Sequence, residues 1–310
     1  MDLLREIGTD GYPTDYLAAR VRSRRAALIA DEGRGRAVRP VVAVSDEAIW
    51  GAMLTEFDWL RRQMNPRLRS DFAPVFLLFG IKTLILCLRS KAAERHREIE
   101  RLLRHELLGD ELREALRLAP GAAAAAKAIA AAFGAVLEDP HGLEAAYADG
   151  GLKAFETRLT RDYLRRVAAM RLHPAVHRFF TAFIDLRNIM TLYKHLRWGF
   201  QDPAAFVPGG TVDAARLREA SASGDSGYLD DCVGRMTGDA APAAVVGEVA
   251  LESRLLGGLT HALHRAGREG DEVELILDYV WSLYVQARNR ALRLHAGASD
   301  ASMLERELIA

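Results

Sequence analysis

The chain has 310 residues, half of them hydrophobic, and its 42 Lys and Arg are balanced by 42 Asp and Glu. That length suits two or three ordinary domains with a large core, and the zero net charge argues against a dedicated nucleic-acid binder, which carries a clear basic excess. The two cysteines, Cys87 and Cys232, have no CxxC partner, which excludes a disulfide framework and suits a reducing cytoplasm.

The first residues, Met1 to Glu6, carry acids where a secretory signal carries bases, so no targeting segment is expected. A first helix holds the basic cluster Arg20, Arg22, Arg24 and Arg25 and is expected to end over Gly33, Gly35 and Pro40. With no interleaved aromatics, the cluster suits a partner surface or an intramolecular carboxylate better than nucleic acid. Val41 to Val44 is the only stretch with strand character, and it reads as a linker. Ser45-Asp46-Glu47 suits a helix start, and Asn65-Pro66 breaks that helix from the next. Ala73 to Leu88 is the most apolar run. At 16 residues, interrupted by Lys82, it falls short of the roughly 20 needed to cross a bilayer. The chain therefore reads as soluble, seated at most on a membrane complex. Arg95, Arg97, Arg101 and Arg104, alternating with Glu94, Glu98 and Glu100, form a solvated helix with i, i+4 pairs. Ala119-Pro120-Gly121 opens an alanine tract whose helix is expected to continue to about Leu137. Asp139 to Gly142 and Asp149-Gly150-Gly151 read as turns. Phe179, Phe183, Leu186, Met190 and Tyr193 step along one helix face, as do Val273, Leu277, Val280, Tyr284, Ala287, Ala291 and Leu294. Between them, Phe206 to Gly210 and Ser221 to Gly227 are breaks, and Thr211-Val212-Asp213 suits a cap.

Three of these apolar helices share a pattern. Gly80-Ile81-Lys82-Thr83-Leu84, Asn188-Ile189-Met190-Thr191-Leu192 and, more loosely, Asn289-Arg290-Ala291-Leu292 recur at intervals of 108 and 101 residues. The period is too long for an ordinary solenoid repeat and fits three related helical units that close around an axis. Each is preceded by another amphipathic helix, so each unit is at least a helix pair. The expected units are 1–115, 116–205 and 206–310.

The chemistry-bearing motifs are incomplete. Gly80-Ile81-Lys82-Thr83 lacks the contiguous Gly-Lys-Thr and the upstream Gly of a phosphate loop, so Lys82 reads as a core helix's exposed lysine. His261 with His264, and His173 with His177, have helical spacing but lack the His-Glu-x-x-His frame of a zinc helix, so surface or capping roles are expected. No Gly-x-Ser-x-Gly elbow frames a serine. No catalytic, cofactor-binding or metal-binding residue is expected. The polar groups Asp185, Arg187 and Asn188 stand together in an apolar helix, where they are costly unless satisfied, and Arg288-Asn289 repeats the dipeptide. A register-fixing role through bonds to neighbouring helices or chain termini is expected of them.

Tyr16 to Arg22, the run Phe180 to Leu192 closing at Arg197-Trp198-Gly199, the turn Phe206-Val207-Pro208-Gly209-Gly210, and Gln286 to Leu292 with Gly297 follow one another in an order that resembles the C subunit of A/V-type rotary ATPases, the family of the vacuolar ATPase subunit d. Gly80, where Asn is usual, and Gln286, where an acid is common, depart from the family pattern. The resemblance implies an all-α, funnel-shaped body of three similar units in pseudo-threefold arrangement around a central cavity. It implies a non-catalytic, cofactor-free part between the membrane's ion-carrying rotor ring and the central shaft, passing torque for proton or sodium transport at the cytoplasmic face. The structural and repeat positions expected of the chain are Arg20, Arg22, Gly80, Thr83, Asp185, Arg187, Asn188, Thr191, Pro208, Gly209, Gly210, Arg288 and Asn289. The alternatives are a free-standing helical scaffold and a helical enzyme with a metal on His261 and His264.

Overall fold

A computed structural model describes residues 3–35, 45–104, 106–199, 202, 205–239, 241, 247–296 and 307–309. Over these residues the protein is all-helical, with twelve helices and no strand. They are α1 (Thr14–Gly35), α2 (Asp46–Gln63), α3 (Pro66–Ala92), α4 (His96–Leu103), α5 (Asp110–Leu118), α6 (Ala122–Phe133), α7 (Pro140–Ala168), α8 (Pro174–Trp198), α9 (Ala214–Ser223), α10 (Ser226–Thr237), α11 (Glu248–Glu269) and α12 (Glu272–Ala296). Packing divides the chain into two compact units, one of Met1–Gly11 with Leu54–Leu172 and one of Tyr12–Met53 with His173–Ala310. The sequence repeat cuts across this division, since Gly80 lies in the first unit and both Asn188 and Asn289 in the second.

The first unit is built on α3. Asn65 caps it by accepting from the Leu68 N–H at 2.9 Å, with Pro66 at the first helical position, where a proline's missing donor costs nothing. This helix has 27 residues, longer than the apolar run alone suggests. Its most apolar 18-residue window reaches a mean hydropathy of 1.9, enough by length and composition to cross a membrane, yet 67% of that window is buried in the protein. Phe57, Phe76 and Phe79 meet there with ring centroids 5.2–5.5 Å apart, and α6 and α7 pack against the same helix. The Tyr163 hydroxyl of α7 donates to the Pro74 carbonyl at 2.5 Å. Arg89 grips Glu156 with two bonds of 2.7 and 2.6 Å, a bidentate geometry that fixes orientation as well as distance. Lys91, buried at the end of α3, donates to the carbonyls of Arg117 and Ala119 at 3.1 and 2.6 Å and so closes the C-terminus of α5. Lys82 is exposed and lies 5.9 Å from the Phe79 ring.

Several expected breaks differ in detail. The helix of the alanine tract stops at Phe133, before Leu137. Asp139 to Gly142 is a helix start, because Asp139 accepts from the Gly142 N–H at 2.8 Å and Pro140 takes the first helical position. The turn expected at Asp149-Gly150-Gly151 is present as a kink that divides α7 into two helices: Gly151 has φ +63° and ψ −152°, a conformation open to glycine and strained for other residues. Helix α1 runs through Gly33 to Gly35. Pro40, Val41 to Val44 and Gly297 lie outside the described residues.

The second unit packs α11 against α12, lays α1 on α12, and sets α9, α10 and α11 on α8. Trp281 is its largest fully buried side chain. The indole donates to Thr260 Oγ1 at 2.8 Å and its ring meets Phe179 at 5.7 Å, so the polar edge is satisfied while the rest of the ring fills the core. Breaks here fall as expected: Ser45 caps α2 through Ala48 N–H, Asp213 caps α9, and Gly224 ends α9 in the left-handed region.

Candidate functional site

The residues singled out around Asn188 come together in one place in the second unit. Asn188 is fully buried on α8. Its amide nitrogen donates to the Val207 carbonyl at 2.8 Å, and its amide oxygen accepts from the Val207 N–H at 2.8 Å. One side chain thus satisfies both main-chain groups of a buried residue, which an amide alone among neutral side chains can do with matched donor and acceptor. Three residues earlier on the same helix, the Asp185 carboxylate accepts from Thr211 N–H at 3.0 Å, Thr211 Oγ1 at 2.5 Å and Val212 N–H at 2.9 Å. The two side chains hold both ends of the turn Val207 to Val212. The glycines between them are required by geometry. Gly209 has φ +102°, and a Cβ at Gly210 would run into Asp185 Oδ1. Pro208 is exposed at the turn. Arg187 is exposed on α8, and Thr191 bonds back to the Arg187 carbonyl at 2.9 Å. Asp185 and Asn188 therefore hold a following loop rather than a neighbouring helix.

The same device recurs on α12. Asn289 donates to the Ile309 carbonyl at 2.8 Å and accepts from the Ile309 N–H at 3.1 Å. The partner lies 20 residues ahead here and 19 ahead for Asn188. Arg288 reinforces it, donating to the Glu307 carbonyl at 2.9 Å and to Ser253 Oγ at 3.3 Å.

On α3 the corresponding position is Gly80, which has no side chain to clamp with. The segment 106–109 lies there instead, and Leu108 Cδ2 comes within 3.2 Å of where a Cβ on Gly80 would stand. This segment bridges to the chain's start through Arg5 N–H to Leu107 O at 2.8 Å and Gly109 N–H to Leu3 O at 3.1 Å, an antiparallel contact of Leu4 with Leu108. Thr83 hydrogen-bonds the Glu106 carboxyl.

The remaining singled-out residues are dispersed. The Arg20 guanidinium lies over the Tyr12 ring at 5.6 Å from its centroid, and Arg22 is exposed. Arg25 pairs with Asp278 at 2.6 Å. Asp278 is fully buried on α12 and also meets His264 Nδ1 of α11. Arg25 thus meets an intramolecular carboxylate, one of the two readings of the basic cluster; which acid it meets is marked in the sequence only by a single charge inside the apolar run Ile276-Leu277-Asp278-Tyr279-Val280. His264 is thereby engaged by a carboxylate, while His261 is exposed. His173 caps α8, its Nδ1 accepting from Ala175 N–H. Among the described residues, no group of three or more His, Cys, Asp and Glu is arranged to hold a metal ion. Burial pushes the Cys87 thiol up to about 12 and raises that of Cys232 as well, so neither is poised as a nucleophile. An open groove of about 790 Å³ runs along α8 and α11 in the second unit, floored by Phe179, Ala182, Ile189, Leu259, Ala262 and Ala266.

The residues gathered here fix two following segments onto α8 and α12. Residues 41–289 match the family model of the ATP synthase (C/AC39) subunit. No curated protein matches the chain.

Proposed function

The chain belongs to the ATP synthase (C/AC39) subunit family, whose members are non-catalytic stalk subunits of rotary ATPases, and we propose that it is the piece that couples such a motor's membrane rotor to its shaft. In this reading it rides at the cytoplasmic face, joins the ion-carrying ring to the central shaft, and passes torque between ATP turnover and proton or sodium movement. Its three helical units, 1–115, 116–205 and 206–310, make a pseudo-threefold funnel whose cavity takes the shaft while the opposite end seats on the ring. Arg20, Arg22, Gly80, Thr83, Asp185, Arg187, Asn188, Thr191, Pro208, Gly209, Gly210, Arg288 and Asn289 serve as its structural repeat positions.

The observation that supports this reading best, beyond the family match, is the duplicated amide clamp. Asn188 on Val207 and Asn289 on Ile309 make the same pair of bonds at nearly the same sequence offset. Chance resemblance of apolar helices accounts for similar sequence but not for a side chain closing on both main-chain groups of a residue one helix-length ahead. A part that carries torque must resist shear between each long helix and the segment following it, and a two-bond clamp to backbone does that at a fixed register. The test is co-purification of the full chain with the ring subunits and with the shaft subunits of the same source. Retention of both supports the coupling role. Retention of neither, under conditions where the rest of the complex assembles, overturns it.

A further inference from the structure

We propose that Glu106 is a proton-operated latch: uncharged, it seals the segment 106–109 onto α3, and ionised, it loosens that segment together with the chain start bridged to it. The contacts that carry this lie within the first compact unit and do not depend on the coupling role; only the comparison with the asparagine clamps rests on the repeat reading.

Glu106 is 1% exposed and sits beside Gly80, where the other two sequence copies carry a clamping amide. Its Oε1 accepts from Leu107 N–H at 2.8 Å, and Thr83 supplies a second hydrogen bond. Oε2 is buried with no hydrogen-bond partner. A carboxylate with one such oxygen bears a large desolvation cost, which the neutral acid largely avoids. The charged and titratable groups facing it come from three elements. From α3 it is Cys87, from α5 Arg113 and from the chain start Arg5, with Lys91 beside Cys87 and Asp110 beside the two arginines one contact further out. Arg113 and Arg5 favour the carboxylate, but both are shared with Asp110, and Lys91 spends its protons on the carbonyls of Arg117 and Ala119. Burial outweighs them and holds the Glu106 carboxyl above the usual carboxylate range. Cys87, pushed up to about 12, keeps its proton across the physiological range, and Asp110 is held low by Arg113. Of these groups Glu106 is the carboxyl that burial holds in its protonated form above the ordinary glutamate value.

Because the closed state holds the proton more tightly than the open one, closure is strongest below the ordinary glutamate pKa of about 4.3. It weakens as pH rises, by about tenfold per pH unit, and levels off above the closed-state pKa. The test is amide hydrogen exchange on the full chain between pH 5 and 8.5, corrected for the chemical rate, read at the Arg5 and Gly109 amides that bridge to Leu107 and Leu3. In the wild-type chain their protection should fall about tenfold per pH unit across the low part of this window. Glu106→Gln should keep them protected and flatten the dependence. Thr83→Val, which removes a hydrogen bond favouring the carboxylate, should carry the decline to higher pH, and it decides the matter should Glu106→Gln fail to fold. A flat wild-type profile, an equal decline in Glu106→Gln, or no displacement in Thr83→Val overturns the latch.

Discussion

Replacing Asn188 by leucine removes both hydrogen bonds to Val207 while keeping a four-atom side chain branched at Cγ. Asn188 is fully buried, and the bonds measure 2.8 Å each, so no water stands ready to take its place. The Val207 N–H and C=O are then both buried and unpaired. Each such group costs about 1–3 kcal/mol, giving about 2–6 kcal/mol before the leucine regains some apolar burial. A net loss of about 3 kcal/mol is expected. For a body of this size, 1 kcal/mol moves the midpoint by roughly 2–4 °C, so the melting temperature should drop by roughly 6–12 °C. Circular dichroism melts and urea unfolding of the purified chain measure this directly. Arg197→Leu, at the exposed end of the same helix, is the control and should change little. Asn289→Leu breaks the same geometry and should cost a comparable amount. A melting temperature for Asn188→Leu within about 2 °C of wild type would refute the claim that the clamp holds the turn. An Asn289→Leu far milder than Asn188→Leu would refute the equivalence of the two clamps.

Gly210→Ala places a Cβ against Asp185 Oδ1 and should displace the carboxylate from Thr211 and Val212, costing about 2 kcal/mol in urea unfolding; an unchanged midpoint would show that the turn yields freely. Asp278→Asn removes the countercharge of Arg25 in a fully buried position, and breaking such a pair costs about 3–5 kcal/mol, read again by urea unfolding, with a loss under about 1 kcal/mol counting against a structural node. His195, buried against Phe206 with Nδ1 at 2.9 Å from Ser221 Oγ, has its pKa lowered chiefly by burial. The folded form therefore holds the proton less tightly than the unfolded one, and the contribution to stability is full above the ordinary histidine value of about 6.5 and shrinks as pH falls below it. The stability difference between wild type and His195→Gln should narrow between pH 6.5 and 5, and a difference constant over that range would argue against a neutral buried imidazole.

The helical class and most breaks were legible because they rest on local chemistry. Asn65-Pro66, Asp213 and Ser45 cap helices by rules that need only neighbouring residues. Asp139 to Gly142 was misread because Asp-Pro suits a turn and a helix start equally, and the outcome turns on whether Asp139 reaches the Gly142 N–H. The apolar length of α3 was underestimated because its ends are amphipathic, and only the packing of α6 and α7 shows which of those residues are covered. Asp185, Asn188 and Asn289 stood out as polar groups in apolar helices, and that signal marked real constraints. Their partners were not legible. A side chain that closes on backbone selects no residue type at the far end, so Val207 and Ile309 carry no mark of the contact. Asp278 carries the same signal as Asn188, but its partners are set by packing: His264 comes from the preceding helix and Arg25 from the first helix, far away in sequence.

Gly80 was the weakest of the three repeat positions by sequence, and the contacts explain why. A clamp amide needs room for its side chain and an open backbone pair ahead of it. At Gly80 the room is missing. Leu108 occupies it, and Arg5 and Leu3 from the chain start bond the Leu107 carbonyl and the Gly109 N–H on either side of it. An asparagine at Gly80 would have to push Leu108 aside, and overpacking of that kind costs about 1–3 kcal/mol. The departure from the pattern and the N-terminal bridge therefore go together: the bridge seats Leu108 on the helix where the other two copies keep an amide.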